Sequence, residues 1–169
     1  MNTNLVPIST LFIGLNGLLA FALSYIAASE RVRSRLWHGE SQTDVVMQTD
    51  PLAHPSAWVL AIERLTQRQL QKGEVEAGAL QRKVRAHGNF AEYVPQGLLF
   101  LLALELMQLQ AGLVWLLGVT LTVARVAHAY GVITQYGPSI GRAIGFFATW
   151  FVYIVGSVAC LYYSCLSLI

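Results

Sequence analysis

Four stretches of this chain, about Leu5 to Ala28, Phe90 to Leu109, Ala111 to Tyr130 and Ala143 to Ile169, are strongly apolar. Each approaches the ~20 residues that a helix needs to cross ~30 Å of hydrocarbon. Inside lipid every backbone N–H and C=O needs a partner within the protein, and barrel strands are only about 9–11 residues long, so stretches of this length are expected as helices. The expected fold is an all-α membrane protein, a four-transmembrane-helix up-down bundle. With 169 residues, 55% hydrophobic and 12% charged, the chain is expected to form one membrane domain over 1–169. The first stretch lacks a basic leader and exceeds the usual length of a signal-peptide core, so it is expected as a retained span.

Charge is informative through its placement. A formal charge of +2 gives no case for nucleic acid as a partner. Nine of the 11 Lys and Arg lie between Arg31 and Arg85; the others are Arg125, inside the third stretch, and Arg142, in the loop after it. The positive-inside rule then places both termini on the non-cytoplasmic side, with the long first loop and the Gly131 to Arg142 loop cytoplasmic. The turn around Gln110 to Gly112 is short enough to make the second and third helices antiparallel neighbours. Tyr162, Tyr163 and Trp115 read as an outer aromatic belt. Cys160 and Cys165 have neither a zinc nor a redox spacing. His38, His54, His87 and His128 form no HxxxH or HExxH pair, and no metal site is expected.

The segment RKVRAHGNFAEYVP, Arg82 to Pro95, runs a basic cluster into the second apolar stretch. On a helix, Arg82, Arg85, Asn89 and Glu92 share one face, with Tyr93 beside them. Guanidinium, amide, carboxylate and phenol at a membrane edge suit a small zwitterionic ligand. Pro95 removes one helical donor and is expected to open the helix at the Ala91 carbonyl. Counted from Gln110, Glu92 and Arg125 stand ~27 Å and ~22 Å deep at 1.5 Å per residue. Two opposite charges at similar depth on adjacent helices should pair or share a polar ligand, because either alone in hydrocarbon costs several kcal/mol. Asn89, Tyr93 and His128 crowd the same layer. Glu105, near the other end, is expected to reach headgroup water.

Small residues at helical spacing in the first stretch, Gly14, Gly17 and Ala20 together with Asn16, predict a helix interface. The stretch ends in Glu30, Arg31, Arg33 and Arg35, an ordinary basic flank in composition. Between the first two spans, DPLAHPSAWVLAIERLTQRQLQKG predicts a helix from about Pro55 to Lys72, with Asp50 or Ser56 as caps and Gly73 as its stop. Trp58, Ala61, Ile62 and Leu65 make an apolar stripe on it, while Arg64, Arg68 and Lys72 make a basic one. Such a helix can pack on its own protein, lie on the headgroups, or dock a protein partner.

RAHGNFAEYVP resembles the signature of the membrane-associated proteins in eicosanoid and glutathione metabolism, the MAPEG family: Arg, Asn four residues on, Glu three further, an adjacent Tyr, then Pro. ARVAHAYG, Ala124 to Gly131, resembles that family's third-helix motif. The resemblance, closest to bacterial members, implies a homotrimer with three glutathione sites in clefts between subunits, opening on the cytoplasmic side. Arg85, Asn89, Glu92 and Tyr93 would form the cradle, with Arg125 and His128 nearby. Either Arg31 or Arg33 would reach in from a neighbouring subunit, and Arg142 would be the catalytic residue beside the sulfur. The implied function is glutathione transfer or peroxide reduction on lipophilic electrophiles that enter from the bilayer. The alternatives are a non-catalytic lipid-binding or scaffold membrane protein and an accessory subunit of a larger complex. Two features depart from the family pattern: several members carry Tyr where this chain has His128 and Val132, and residues 40–78 are an insertion.

Overall fold

The computed structural model describes residues 4–37, 53–70 and 76–168, which form five helices and no strand. They are α1 (Pro7–Ser34), α2 (Ala57–Leu70), α3 (Ala79–Leu106), α4 (Ala111–Thr134) and α5 (Ile140–Leu168). Lys72, Gly73, Asp50 and His38, which figure in the sequence expectations, lie outside the described residues.

α1 opens on Pro7, where a missing N–H breaks no helical bond, and closes on Arg35 in the left-handed conformation. It has no capping side chain of its own. The cap comes from α3: the Glu105 carboxylate accepts the Ile8 amide at 2.9 Å and the Ser9 amide at 2.6 Å. Glu105 is therefore a tertiary cap rather than a side chain extended to water, and its charge suits the positive end of the helix. α2 begins where Ser56 Oγ accepts the Val59 amide, which selects Ser56 as its cap.

α3 leaves Gly78 at φ 74, a left-handed position where the Tyr136 ring lies so close that no Cβ would fit. The helix runs through Pro95 without interruption. A four-residue turn, with Gln108 left-handed and the Leu109 amide on the Leu104 carbonyl at 3.1 Å, reverses the chain into α4. α3 and α4 are antiparallel neighbours, as the short turn requires.

α3 packs against α1, α4 and α5; α1 and α5 lie on opposite sides of that central pair, and α2 touches α1 alone. Two apolar clusters hold the four long helices together. Near the Glu105 end, Ile8, Phe12, Leu101, Leu104, Val114, Leu117, Leu121 and Val152 interlock. Toward the other end Leu23, Ala86, Phe90, Val94, Ala129 and Val132 do so. Asn16 stitches α1 to α4 by donating to Thr122 Oγ1 at 2.9 Å. Large apolar side chains also cover the outer surface, with Leu18, Phe21, Phe147, Ile154 and Leu161 exposed. A surface of that kind belongs against lipid.

Three helices, α1, α4 and α5, are long and apolar enough to cross a membrane. α3, although 28 residues long, falls short of that standard. Its first half is the basic segment through Asn89, and Glu92, Pro95, Gln96 and Glu105 interrupt the rest. The helices also outrun the apolar stretches: α1 continues through Arg33, α3 starts at Ala79, and α5 starts at Ile140. Arg142 consequently sits in the first turn of α5 and not in a loop.

Candidate functional site

The core face of α3 is set by Ala86, Phe90, Val94 and Gly97, all buried. Packing those residues inward turns Arg85 and Glu92 outward, where both are exposed, and leaves Asn89 and Tyr93 half-buried at the edge facing α4.

There Asn89 Oδ1 accepts a hydrogen bond from Arg125 Nη1 at 2.9 Å, and Arg125 Nη2 donates to the Gly145 carbonyl at 3.1 Å. Arg125 is only 3% exposed, and its guanidinium carbon lies 5.5 Å from the centre of the Tyr93 ring. Tyr153 of α5 completes the layer, its ring 5.9 Å from that of Tyr93 and its hydroxyl donating to the Tyr93 carbonyl at 2.7 Å. Among the described residues the two terminal nitrogens of this buried guanidinium are met by an amide and a carbonyl, and its face by a π system, with no carboxylate paired to it. The expected Glu92–Arg125 ion pair is absent among the described residues, because α3 is rotated so that Asn89, not Glu92, meets α4. Arg125 Nε is buried with no hydrogen-bond partner among the described residues.

One turn beyond Arg125, His128 lines an opening of about 490 Å³ with Tyr136, Gly137, Pro138, Ser139, Arg142, Ala143 and Phe146. Two glycines of α5 make this possible. A Cβ on Gly141 would lie 2.7 Å from the Ala127 carbonyl, and one on Gly145 would meet His128 Cβ and sit 2.6 Å from the Ala124 carbonyl. The Gly-x-x-x-Gly spacing lets α5 close on α4, bringing His128 and Arg142 to one opening and the Gly145 carbonyl to Arg125. Arg142 Nη1 donates to the Gly137 carbonyl at 3.0 Å, and Ser139 Oγ accepts the Arg142 amide at 3.3 Å. The loop is held from outside by Tyr136, whose ring centre lies 5.0 Å from the Arg82 guanidinium carbon. Arg82 itself donates to the Ile133 carbonyl at 2.9 Å and pairs with Glu76 at 2.6 Å, a structural role that joins α3 to the end of α4.

Arg31 and Arg33 are apart from both groups, on the last turns of α1. Arg31 Nη1 donates to the Leu36 carbonyl at 3.4 Å, and Arg33 Nη1 lies 3.4 Å from Glu30 Oε2. Glu30 is 1% exposed and takes Lys83 of α3 at 2.5 Å. It is the anchor of the α1–α3 seam at this end and no mere member of a basic flank. Its position on the Leu23, Ala27, Glu30 stripe was the available signal. For Gly141 and Gly145 the four-residue spacing was the signal; nothing in the sequence singles out Tyr153.

Of the expected site residues, the structure gathers Asn89, Tyr93 and Arg125 into one layer and His128 and Arg142 at one opening. Arg85 and Glu92 share the exposed face of α3, on either side of Asn89 in the helix, while Arg31 and Arg33 stand at the end of α1. Among the described residues no three His, Cys, Asp or Glu cluster as metal ligands would.

The family model described as MAPEG matches residues 9–162. Over 84 residues the chain is 31% identical to the inner membrane protein YecN of Escherichia coli K12 and, to the same extent, to the protein of that name from a second Escherichia coli strain. That match covers 50% of this chain and 63% of each relative, so the chain spans less than two thirds of the relatives' length. No solved structure matches the chain.

Proposed function

The chain belongs to the MAPEG family of membrane proteins, and from that premise we propose that it is a glutathione-binding enzyme acting on lipophilic electrophiles by transfer or peroxide reduction. The observation that carries this reading is the outward face of α3. Arg85 and Glu92 are seven residues apart, ~10 Å along the axis, both exposed and flanked by the Asn89–Arg125 layer. A guanidinium and a carboxylate held that way fit the two ends of a zwitterionic peptide: Arg85 takes a carboxylate and Glu92 takes the ammonium. Asn89 and Tyr93 offer polar edges between them, and Arg31 or Arg33 is supplied by a neighbouring copy.

Charges on the outer face of a membrane helix also need covering, since exposure to hydrocarbon is costly. A homotrimer whose clefts lie along α3 supplies that cover and lets α3 serve as the fourth span. The whole chain then forms a single domain with residues 40–78 inserted, both termini on the non-cytoplasmic side, and the first and third loops cytoplasmic.

Bound in this cleft, glutathione supplies a thiol whose ionised form is the nucleophile. Arg142 favours that ionised form by placing a cation at the mouth that it shares with His128. The apolar outer faces of α4 and α5 give a lipophilic substrate lateral access from the bilayer.

Calorimetry of glutathione on purified protein tests the reading. The wild type should bind, and Glu92→Gln, losing a charge-assisted bond of ~1.5–3 kcal/mol, should bind roughly ten- to hundredfold more weakly. Unchanged affinity in a folded Glu92→Gln variant overturns the assignment.

A further inference from the structure

We propose that α2 is a membrane-surface helix, seating the arc of Trp58, Ala61 and Leu65 among anionic lipid headgroups with Arg64 and Arg68 on their phosphates. The inference rests on the chain's being a membrane protein and is independent of glutathione.

Placement comes first. α2 packs on α1 alone among the helices, and it is pinned to the end of α1 by the Arg35–Glu63 ion pair at 2.6 Å, with Gln67 bonded to the same carboxylate at 2.7 Å. Arg35 is the residue that closes α1, seven residues or ~10 Å past the apolar stretch that ends near Ala28. A helix tied there sits at headgroup level. At 14 residues, ~21 Å, and carrying Glu63, Arg64 and Arg68, it is too short and too charged to enter the hydrocarbon as a span.

Surface chemistry comes second. Val59, Ile62 and Glu63 are only partly exposed, marking the side toward α1. On the other side Trp58 is 73% and Leu65 56% exposed, with Ala61 between them at helical spacing. Arg64 and Arg68, both exposed, border that arc. Glu63 is already engaged by Arg35, so the uncovered charge on α2 is basic. Trp prefers the headgroup layer, long cationic side chains reach up from an apolar face to phosphate, and an anionic surface attracts each added Arg. Apolar arc, basic border and fixed height together fit a lipid surface.

Spin-label accessibility of the full chain in nanodiscs tests this. On a Cys160→Ser, Cys165→Ser background, nitroxide is attached at Ala61→Cys on the proposed lipid side and at Gln67→Cys elsewhere on the helix. In discs of equal phosphatidylcholine and phosphatidylglycerol, collisions with oxygen should exceed those with a water-soluble nickel complex several-fold at 61, and the order should reverse at 67. The contrast should shrink by about half or more when Arg64 and Arg68 become Gln, or in discs of phosphatidylcholine alone. Two results overturn the proposal: nickel reaching 61 as freely as 67, or a label at 61 shielded from both reagents whatever the lipid. The second would mean that another protein, or a second copy of this chain, covers the face. Leu65→Cys provides a second position on the same arc.

Discussion

Asn89 on α3 holds Arg125 on α4 through a 2.9 Å hydrogen bond between a neutral amide oxygen and a buried guanidinium. The pairing leaves Glu92 outside the helix seam, so its carboxylate stays with the outward face of α3. A cation is thereby fixed by the fold, and an anion is left at the surface where a ligand or a second copy of the chain can meet it.

Replacing Asn89 with Ala removes an acceptor from a guanidinium that water does not reach. The expected loss is ~1–3 kcal/mol, the cost of a charged donor left without its partner. A lower unfolding midpoint in detergent should report it, while Asn89→Asp, which keeps an acceptor, should retain most of the stability. An Ala variant that unfolds with the wild type would show that this bond contributes nothing.

Glu105→Gln tests the cap that α3 supplies to α1. The carboxylate accepts two amides of the first turn, from Ile8 and Ser9, and its charge complements the helix dipole. Its loss should cost ~0.5–2 kcal/mol and raise hydrogen exchange locally at those two amides. Exchange that rises uniformly along α1 would point instead to general loosening.

Gly145→Ala should be far more damaging than Gly14→Ala. A methyl at 145 meets His128 and the Ala124 carbonyl, so α5 must move off α4, and Arg125 then loses its second acceptor. Overpacking of this kind costs ~1–3 kcal/mol. A Cβ on Gly14 would meet no other part of the chain within 4 Å, and Ala there should be neutral or gain up to ~1 kcal/mol from helix propensity. Thermal unfolding of the two variants side by side checks the contrast.

Much of this architecture is legible in the sequence, and its failures have physical causes. Long apolar runs identify α1, α4 and α5, because lipid contact demands them. Hydropathy reports where lipid is touched and not where a helix stops, which is why α1 and α3 extend through Arg33 and from Ala79. The spacing of Arg85 and Glu92 reveals their common outward face, whereas Asn89 turns to the edge that meets α4. Depth counted from the turn at Gln110 gives height along the bundle but not rotation about a helix axis. Rotation is set by Ala86, Phe90 and Val94 seeking the core, and it decides that Asn89 rather than Glu92 meets Arg125.

Arg142 offers the sharpest separation of an enzyme from a binding protein. It stands in the first turn of α5, beside the opening that His128 shares, with one guanidinium nitrogen on the Gly137 carbonyl at 3.0 Å. In the proposed enzyme a cation there would act on an ionised sulfur much more than on a neutral one, so its benefit would fall on the thiolate and the transition state rather than on the resting thiol. A free thiol near pKa 8.5 is about 97% protonated at pH 7, which makes thiolate formation the step that such a charge can assist. Arg142→Ala should therefore lower turnover of a generic electrophile at least tenfold while changing glutathione affinity by less than about threefold, with Arg142→Lys retaining part of the rate. Thiolate absorbance of the bound complex near neutral pH should fall in parallel. Equal losses in affinity and turnover would make Arg142 a uniform binding contact. Glutathione binding with no thiolate signal and no turnover, with or without Arg142, would identify a thiol-binding membrane protein that performs no chemistry on the sulfur.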